Sequence, residues 1–186
     1  MNDLYKSPIH GVACLPDCAL KSNKIAKQLS VEFSSIKVQE EDKPIWQLTD
    51  KAKNYETKVE LFQKNSTEPE YTLAIDCQGK GLFEITKNKM VIDWQKEGTD
   101  STHYFQTLGL ALWLEINKVL CVHANALAYK NNSIALIAPS RGGKTTLTSA
   151  LCKHNFEMMT DDMLALYQKD KQVTVYPSWP IARMWP

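Results

Sequence analysis

The sequence has little of what marks the specialised classes of protein. Only 7 of its 186 residues are glycine and 5 scattered residues are cysteine, which excludes a collagen-like repeat and a disulfide mini-protein. Lysine and arginine number 22 and aspartate and glutamate 21, so the net charge of +1 offers no field for binding nucleic acid or a membrane. The most hydrophobic run, residues 108–114, is much shorter than the roughly 20 residues that span a bilayer. These absences predict a soluble, cytoplasmic chain with reduced cysteines.

The first half of the chain has the pattern of short strands. Leu29, Val31 and Phe33 alternate with polar residues, which is the period of a strand with one buried face. Similar apolar segments cover residues 59–62, 71–77, 82–85 and 90–94, and clusters of turn-forming residues separate them. We expect residues 1–98 to form a β-rich domain that serves packing or recognition.

A different pattern begins near residue 100. Asp100 or Ser101 can cap a helix. The apolar positions of this helix at helical spacing are Phe105, Leu108, Leu112 and Ile116. An extended apolar segment at 119–129 contains His123, and a second segment at 133–138 follows a turn at 130–132. The two extended segments are predicted to pair as a hairpin.

Residues 134–153 combine an apolar strand, a loop of small residues, the tripeptide Gly143-Lys144-Thr145 and a helix-forming segment. Glycine lets successive backbone N–H groups converge on phosphate oxygens, and a helix N-terminus adds further N–H groups and a positive dipole end. The Lys144 ammonium can reach the β- and γ-phosphates, and the Thr145 hydroxyl can bind Mg²⁺. Ala138 stands where the motif G-x-x-x-x-G-K-[ST] has its first glycine, and alanine disfavours positive φ at the start of the loop. We favour a phosphate site over an ordinary strand-to-helix turn.

Two adjacent carboxylates, Asp161 and Asp162, follow this helix at the end of another apolar segment. Successive strand residues point to opposite faces, so only one of the pair needs to face a nucleotide. Such a carboxylate can bind Mg²⁺ or accept a proton from an attacking hydroxyl. Alone, the pair indicates an ordinary turn; behind a phosphate loop it predicts a catalytic role. His123 is either a buried core histidine or a residue at the loop end of the hairpin, where it orients a carboxylate or stabilises phosphate charge.

Four features together resemble the HPr kinase/phosphorylase superfamily: the segment 123–126, the hairpin, the loop 138–145 and the segment 160–162. The closer similarity is to the HPr-kinase-like branch found with peptide-modification genes, which includes the lasso-peptide precursor serine kinases. The resemblance implies an α+β protein, with a β-rich N-terminal domain over residues 1–98 and a phosphoenolpyruvate-carboxykinase-like P-loop core over residues 99–186. Related chains continue for about a hundred further residues, so the resemblance also implies a core that is C-terminally truncated.

The resemblance also implies roles for individual residues. ATP would bind the loop and the first turn of the following helix: Ala138, Pro139, Ser140, Arg141, Gly142, Gly143, Lys144, Thr145 and Thr146. Thr145 and Asp161 would hold Mg²⁺, and Lys144 would stabilise the transferring phosphoryl group. Asp162 would be the base that takes the proton of the substrate serine, with Asp161 and His123 assisting it.

We therefore expect a serine kinase that transfers the γ-phosphoryl group of Mg·ATP to a serine hydroxyl of a peptide or protein. Its partners would be that substrate and no nucleic acid or membrane, and a homo-oligomer is compatible with the pattern. Three alternatives stay open: a non-catalytic nucleotide-binding regulatory or assembly protein, an adaptor whose loop binds nothing, and a nucleotide hydrolase. They differ in whether ATP binds, and in whether phosphate is released without an acceptor.

Overall fold

Thirteen strands and two helical segments make up the described part of the chain, which in this computed structural model is residues 8–15, 26–37, 43–51, 56–139 and 141–178. These residues divide into two compact units. The first unit holds residues 14–15 and 28–117, and the second holds residues 8–13, 26–27 and 118–178.

The first unit contains most of a seven-stranded sheet. Its strands are β1 (Val12–Leu15), β2 (Lys27–Phe33), β3 (Trp46–Lys51), β4 (Glu56–Gln63), β5 (Tyr71–Asp76), β6 (Gly79–Ile85) and β7 (Lys89–Gly98). They are ordered β1-β2-β7-β6-β5-β4-β3, with β2 parallel to β7 and with β3 to β7 forming an antiparallel meander. The predicted strands in the first half are confirmed, because their alternating apolar residues form one buried face. The exception is Phe33, which was predicted to be buried with Leu29 and Val31 but is 50% exposed. The buried residues of β4 to β7 are Val59, Leu73, Ile75, Phe83, Ile85, Met90 and Ile92.

A helical segment follows the sheet and contains a π-helical turn. It consists of α1 (Ser101–Tyr104), the π turn (Phe105–Gly109) and α2 (Leu110–Ile116). The predicted cap is confirmed, because the Asp100 side chain accepts a hydrogen bond from the Thr102 N–H at 2.7 Å. The predicted apolar stripe is only partly correct: Phe105 is buried, but Leu108 is 36% exposed. The π turn has one residue more than an α-helical turn and rotates the positions that follow it. The buried residues after the turn are therefore Leu110, Trp113 and Leu114.

The second unit contains two small three-stranded sheets. The strands and helix are β8 (Leu120–Val122), β9 (Asn125–Tyr129), β10 (Asn132–Leu136), α3 (Lys144–Cys152), β11 (Glu157–Thr160), β12 (Leu164–Lys169) and β13 (Gln172–Thr174). The sheets are ordered β10-β9-β11 and β13-β12-β8. The predicted hairpin is confirmed as β9 and β10, with Lys130 at φ 56° in its turn. The expected single segment at 119–129 is instead divided between the two sheets.

The predicted α+β class is wrong, because the chain is mostly β. Among the described residues, helix is confined to residues 101–116 and to α3, and those after α3 include three more strands. The expected P-loop core, C-terminally truncated, is replaced among the described residues by the two small sheets with one helix. The boundary predicted at residue 98 stays a prediction; by contacts, residues 99–117 group with the seven-stranded sheet. Along the described stretches, no helix is both long and apolar enough to cross a bilayer.

Candidate functional site

The candidate site lies at one edge of the β10-β9-β11 sheet. Both β10 and β11 are antiparallel to β9, so they run in the same direction on either side of it. Leu136, at the end of β10, pairs with Asn125, at the start of β9, and Thr160, at the end of β11, pairs with Ala126. The register therefore brings the start of the glycine loop (residues 138–143) and the two aspartates to the same edge.

Glycine is required at two consecutive positions of the glycine loop, for different reasons. The Gly142 N–H donates to the Pro139 carbonyl at 2.9 Å, and a Cβ on Gly142 would lie 2.9 Å from both that oxygen and the Ala138 Cβ. Gly143 has φ 81°, which is strained for any residue with a side chain. Ala138 does not have positive φ, so alanine at this position causes no backbone strain.

The first turn of α3 presents backbone N–H groups that the helix does not use. Gly143 is the N-cap residue and has no side-chain capping bond, and the first bond of the helical type runs from the Leu147 N–H to the Gly143 carbonyl at 2.9 Å. The N–H groups at positions 143–146 therefore have no partner within the helix, as at any helix start. The Gly142 N–H does not belong to this set, because it is bound to Pro139. The N–H groups that stay available to an anion therefore exclude Gly142 and begin at Gly143.

The Lys144 side chain folds back over the glycine loop. Its Nζ atom donates to the Ala138 carbonyl at 2.9 Å and lies 3.4 Å from the Pro139 carbonyl. The side chain is half-buried. The ammonium therefore lies beside the backbone that is predicted to surround a phosphate, and a bound anion would compete with these two carbonyls for it.

Asp161 is the aspartate that the structure brings to α3. The Thr145 Oγ1 donates to the Asp161 Oδ1 at 3.3 Å, and both residues are half-buried. Asp162 follows in the left-handed conformation, with φ 80°. The turn that carries both aspartates is closed by the buried Thr160, whose Oγ1 donates to the Met163 carbonyl at 2.7 Å. The two carboxylates lie in a turn after β11 and not on the strand, contrary to expectation.

His123 lies in a bend between β8 and β9, and its side chain is exposed. The interpretation as a buried core histidine is therefore wrong. The bend places it two residues before Asn125, at the same edge as the glycine loop and the aspartates.

The remaining predicted loop residues differ in how they are placed. Pro139 accepts the bonds described above, and Arg141 is exposed with φ 63°. Thr146 is exposed in the first turn of α3. Ser140 lies outside the described residues.

Sequence reasoning missed two buried polar residues beneath the site. The Asn125 Nδ2 donates to the Thr148 Oγ1 at 3.0 Å, and both side chains are buried. Asn125 lies within the segment 123–126 of the resemblance, and an amide within an apolar run is itself a signal that a specific buried partner exists.

Within the described ranges, no group of three or more His, Cys, Asp or Glu side chains could hold a metal ion. Comparison of the chain with models of known families, with curated proteins and with solved structures finds no match.

Proposed function

We propose that this protein binds Mg·ATP at the glycine loop and transfers the γ-phosphoryl group to a serine hydroxyl of a peptide or protein. The observation that carries the proposal is the 3.3 Å contact between Thr145 Oγ1 and Asp161 Oδ1. It joins the start of the helix after the glycine loop to a carboxylate in the turn that follows β11. This combination supplies both an anion-binding backbone and hard oxygen ligands for a cation.

The donor set suits Mg²⁺ bound together with a nucleotide. Magnesium usually retains several waters and takes one or two protein oxygens plus phosphate oxygens, so a third acidic residue is not required. Thr145 and Asp161 would hold the ion, which neutralises charge on the phosphates when bound. The N–H groups at 143–146 would bind phosphate oxygens. Lys144 would exchange its bonds to the Ala138 and Pro139 carbonyls for charge-assisted bonds to phosphate.

Transfer requires a base for the acceptor hydroxyl. In the proposed step the serine oxygen forms a bond to the γ-phosphorus, the bond from that phosphorus to the bridging oxygen of ADP breaks, and the serine proton passes to the Asp162 carboxylate. Asp161 and His123 assist from the same edge. The β-rich first unit would hold the acceptor, and we assign the reaction to the cytoplasm as part of the same proposal.

A second candidate is a nucleotide-binding protein without catalysis. The observation that favours it is the small ligand set, since the described residues provide only one carboxylate in contact with Thr145 and no larger metal-binding group. Such a protein would retain bound ATP unchanged.

The Asp162→Asn variant distinguishes the two candidates. Asparagine tolerates positive φ as aspartate does, so the exchange removes the base without straining the backbone. We expect the wild type to phosphorylate a degenerate library of serine-containing peptides, as detected by mass spectrometry, and to leave a matched alanine library unmodified. The variant should bind Mg·ATP with unchanged affinity and transfer at least about a hundredfold more slowly.

Two results would contradict parts of this assignment. Undiminished transfer by Asp162→Asn would show that Asp162 is not the base. Binding of Mg·ATP by the wild type with no modified peptide and no phosphate release would favour the non-catalytic candidate.

A further inference from the structure

A short chain of buried hydrogen bonds connects β9 to the first turn of α3. Asn125 is fully buried at the start of β9, and its Nδ2 donates to the Thr148 Oγ1 at 3.0 Å. The Thr148 side chain is 1% exposed, and its Oγ1 donates in turn to the Lys144 carbonyl at 2.9 Å. Two bonds therefore join the central strand of the small sheet to the residue at which α3 begins.

The hydrogen bonds from Asn125 to Lys144 connect two parts of the candidate site. Asn125 pairs with Leu136, which precedes the glycine loop, and the next residue of β9 pairs with Thr160, which precedes Asp161. Lys144 and Thr145, at the other end of the connection, carry the two side chains proposed to contact phosphate and Mg²⁺. Asn125 thus holds the helix start against the strand that separates the loop from the aspartates.

Stability alone does not account for an amide at this position. The Asn125 Oδ1 is buried and has no hydrogen-bond partner among the described residues. A buried acceptor left without a donor costs free energy, whereas replacing both bonded partners by apolar groups of the same shape is often neutral. The Asn125 amide therefore lowers the stability of the fold at a position directly beneath the candidate site.

We propose that Asn125 is a positioning residue for the nucleotide site. Acting through Thr148, it sets the place of the first turn of α3, and hence of Lys144 Nζ and Thr145 Oγ1, relative to Asp161. The inference rests on the proposed binding of Mg·ATP and identifies a determinant of that binding that touches neither phosphate nor metal.

The test compares affinity with stability in three variants. Thr148→Val removes the central hydroxyl at constant shape, Thr148→Ser retains it, and the double variant Asn125→Leu/Thr148→Val replaces both partners by apolar groups. Mg·ATP affinity is measured by calorimetry at a temperature where circular dichroism shows each variant folded, and stability is measured separately by urea unfolding. We expect Thr148→Val and the double variant to bind about tenfold more weakly than the wild type. Thr148→Ser should restore most of the affinity.

The double variant separates positioning from a merely structural role. Its apolar pair should leave the unfolding midpoint near that of the wild type or above it, while its affinity stays low. Wild-type affinity in a folded Thr148→Val variant or in the double variant would overturn the inference. Absence of Mg·ATP binding by the wild type would instead overturn the proposed function, and the inference with it.

Discussion

Arg141 and Asp162, two residues of the candidate site, have backbone conformations that are most common in glycine. Their φ values are 63° and 80°. The left-handed region costs a residue with a side chain about 1–2 kcal/mol, and aspartate tolerates it better than arginine does. The sequence predicted neither conformation, because glycine is the strongest sequence signal for positive φ and most aspartates do not adopt it. Strain of this kind persists where surrounding bonds hold it, as the Thr160 hydroxyl does across the turn at 161–162.

His10, in the second unit, is a buried titratable residue away from the candidate site. Its side chain is 2% exposed, and its Nδ1 has no hydrogen-bond partner among the described residues. The hydroxyl of Tyr167 donates to the His10 backbone carbonyl at 2.7 Å, and not to the ring. Burial lowers the pKa of His10 from 6.5 to about 4, because the charged imidazolium loses its hydration.

The lowered pKa of His10 predicts loss of stability in mild acid. Between the two pKa values the unfolded chain binds a proton that the folded chain does not, so stability is complete above pH 6.5 and falls as the pH drops toward 4. From about pH 7.5 to about pH 5, the free energy of unfolding should fall by about 2 kcal/mol from this residue. Urea titrations give the free energy of unfolding of the wild type and of His10→Gln at each pH. The difference between the pH dependences of these two proteins is the contribution of His10.

The matched control is His154→Gln, which alters an exposed histidine of the same unit. It should retain the pH dependence of the wild type. Equal pH dependence in the wild type and in His10→Gln would show that folding does not lower the pKa of His10.

At the scale of elements, the sequence predicts those whose own side chains carry a periodic pattern. The strands from β4 to β7 and the helix start at Asp100 were predicted because alternation and capping are local signals. The short strands β8 and β13 have three residues each and are defined by their pairing with β12. Such pairing leaves no periodic pattern in a segment of three residues, so the sequence does not predict these strands. The π turn was missed because helical spacing assumes a constant number of residues per turn.

The contribution of the Asp100 cap to the stability of the helical segment can be tested by substitution. Asp100→Ala removes the acceptor for the Thr102 N–H and should lower the free energy of unfolding by about 1 kcal/mol. Asp100→Asn keeps a capping oxygen and should change stability by only a few tenths of a kcal/mol. Urea unfolding followed by tryptophan fluorescence measures both, because Trp113 is buried in α2. Equal losses in the two variants would show that charge, and not capping, stabilises this end.

At the scale of the whole molecule, the sequence predicted the local arrangement around the glycine loop better than it predicted the fold class. The hairpin, the helix after the glycine loop and the shared edge follow from residues close together in the chain. The α+β class came from a resemblance whose specific motifs lie between residues 123 and 162. How the strands after α3 pair depends on contacts over long sequence separations, which a local motif does not specify. A local strand, loop and helix can therefore be predicted correctly although the fold class is wrong.

The most direct test of the account is calorimetric titration of ATP into the protein, with Mg²⁺ and separately with EDTA. We predict saturable binding with Mg²⁺, weaker binding with EDTA, and a loss of at least about tenfold, or ~1.4 kcal/mol, in Lys144→Met. Lys153→Met, at the other end of α3 and exposed, is the matched control and should bind as the wild type does. No binding by the wild type, or equal affinity in Lys144→Met, would contradict the claim that this loop holds a nucleotide.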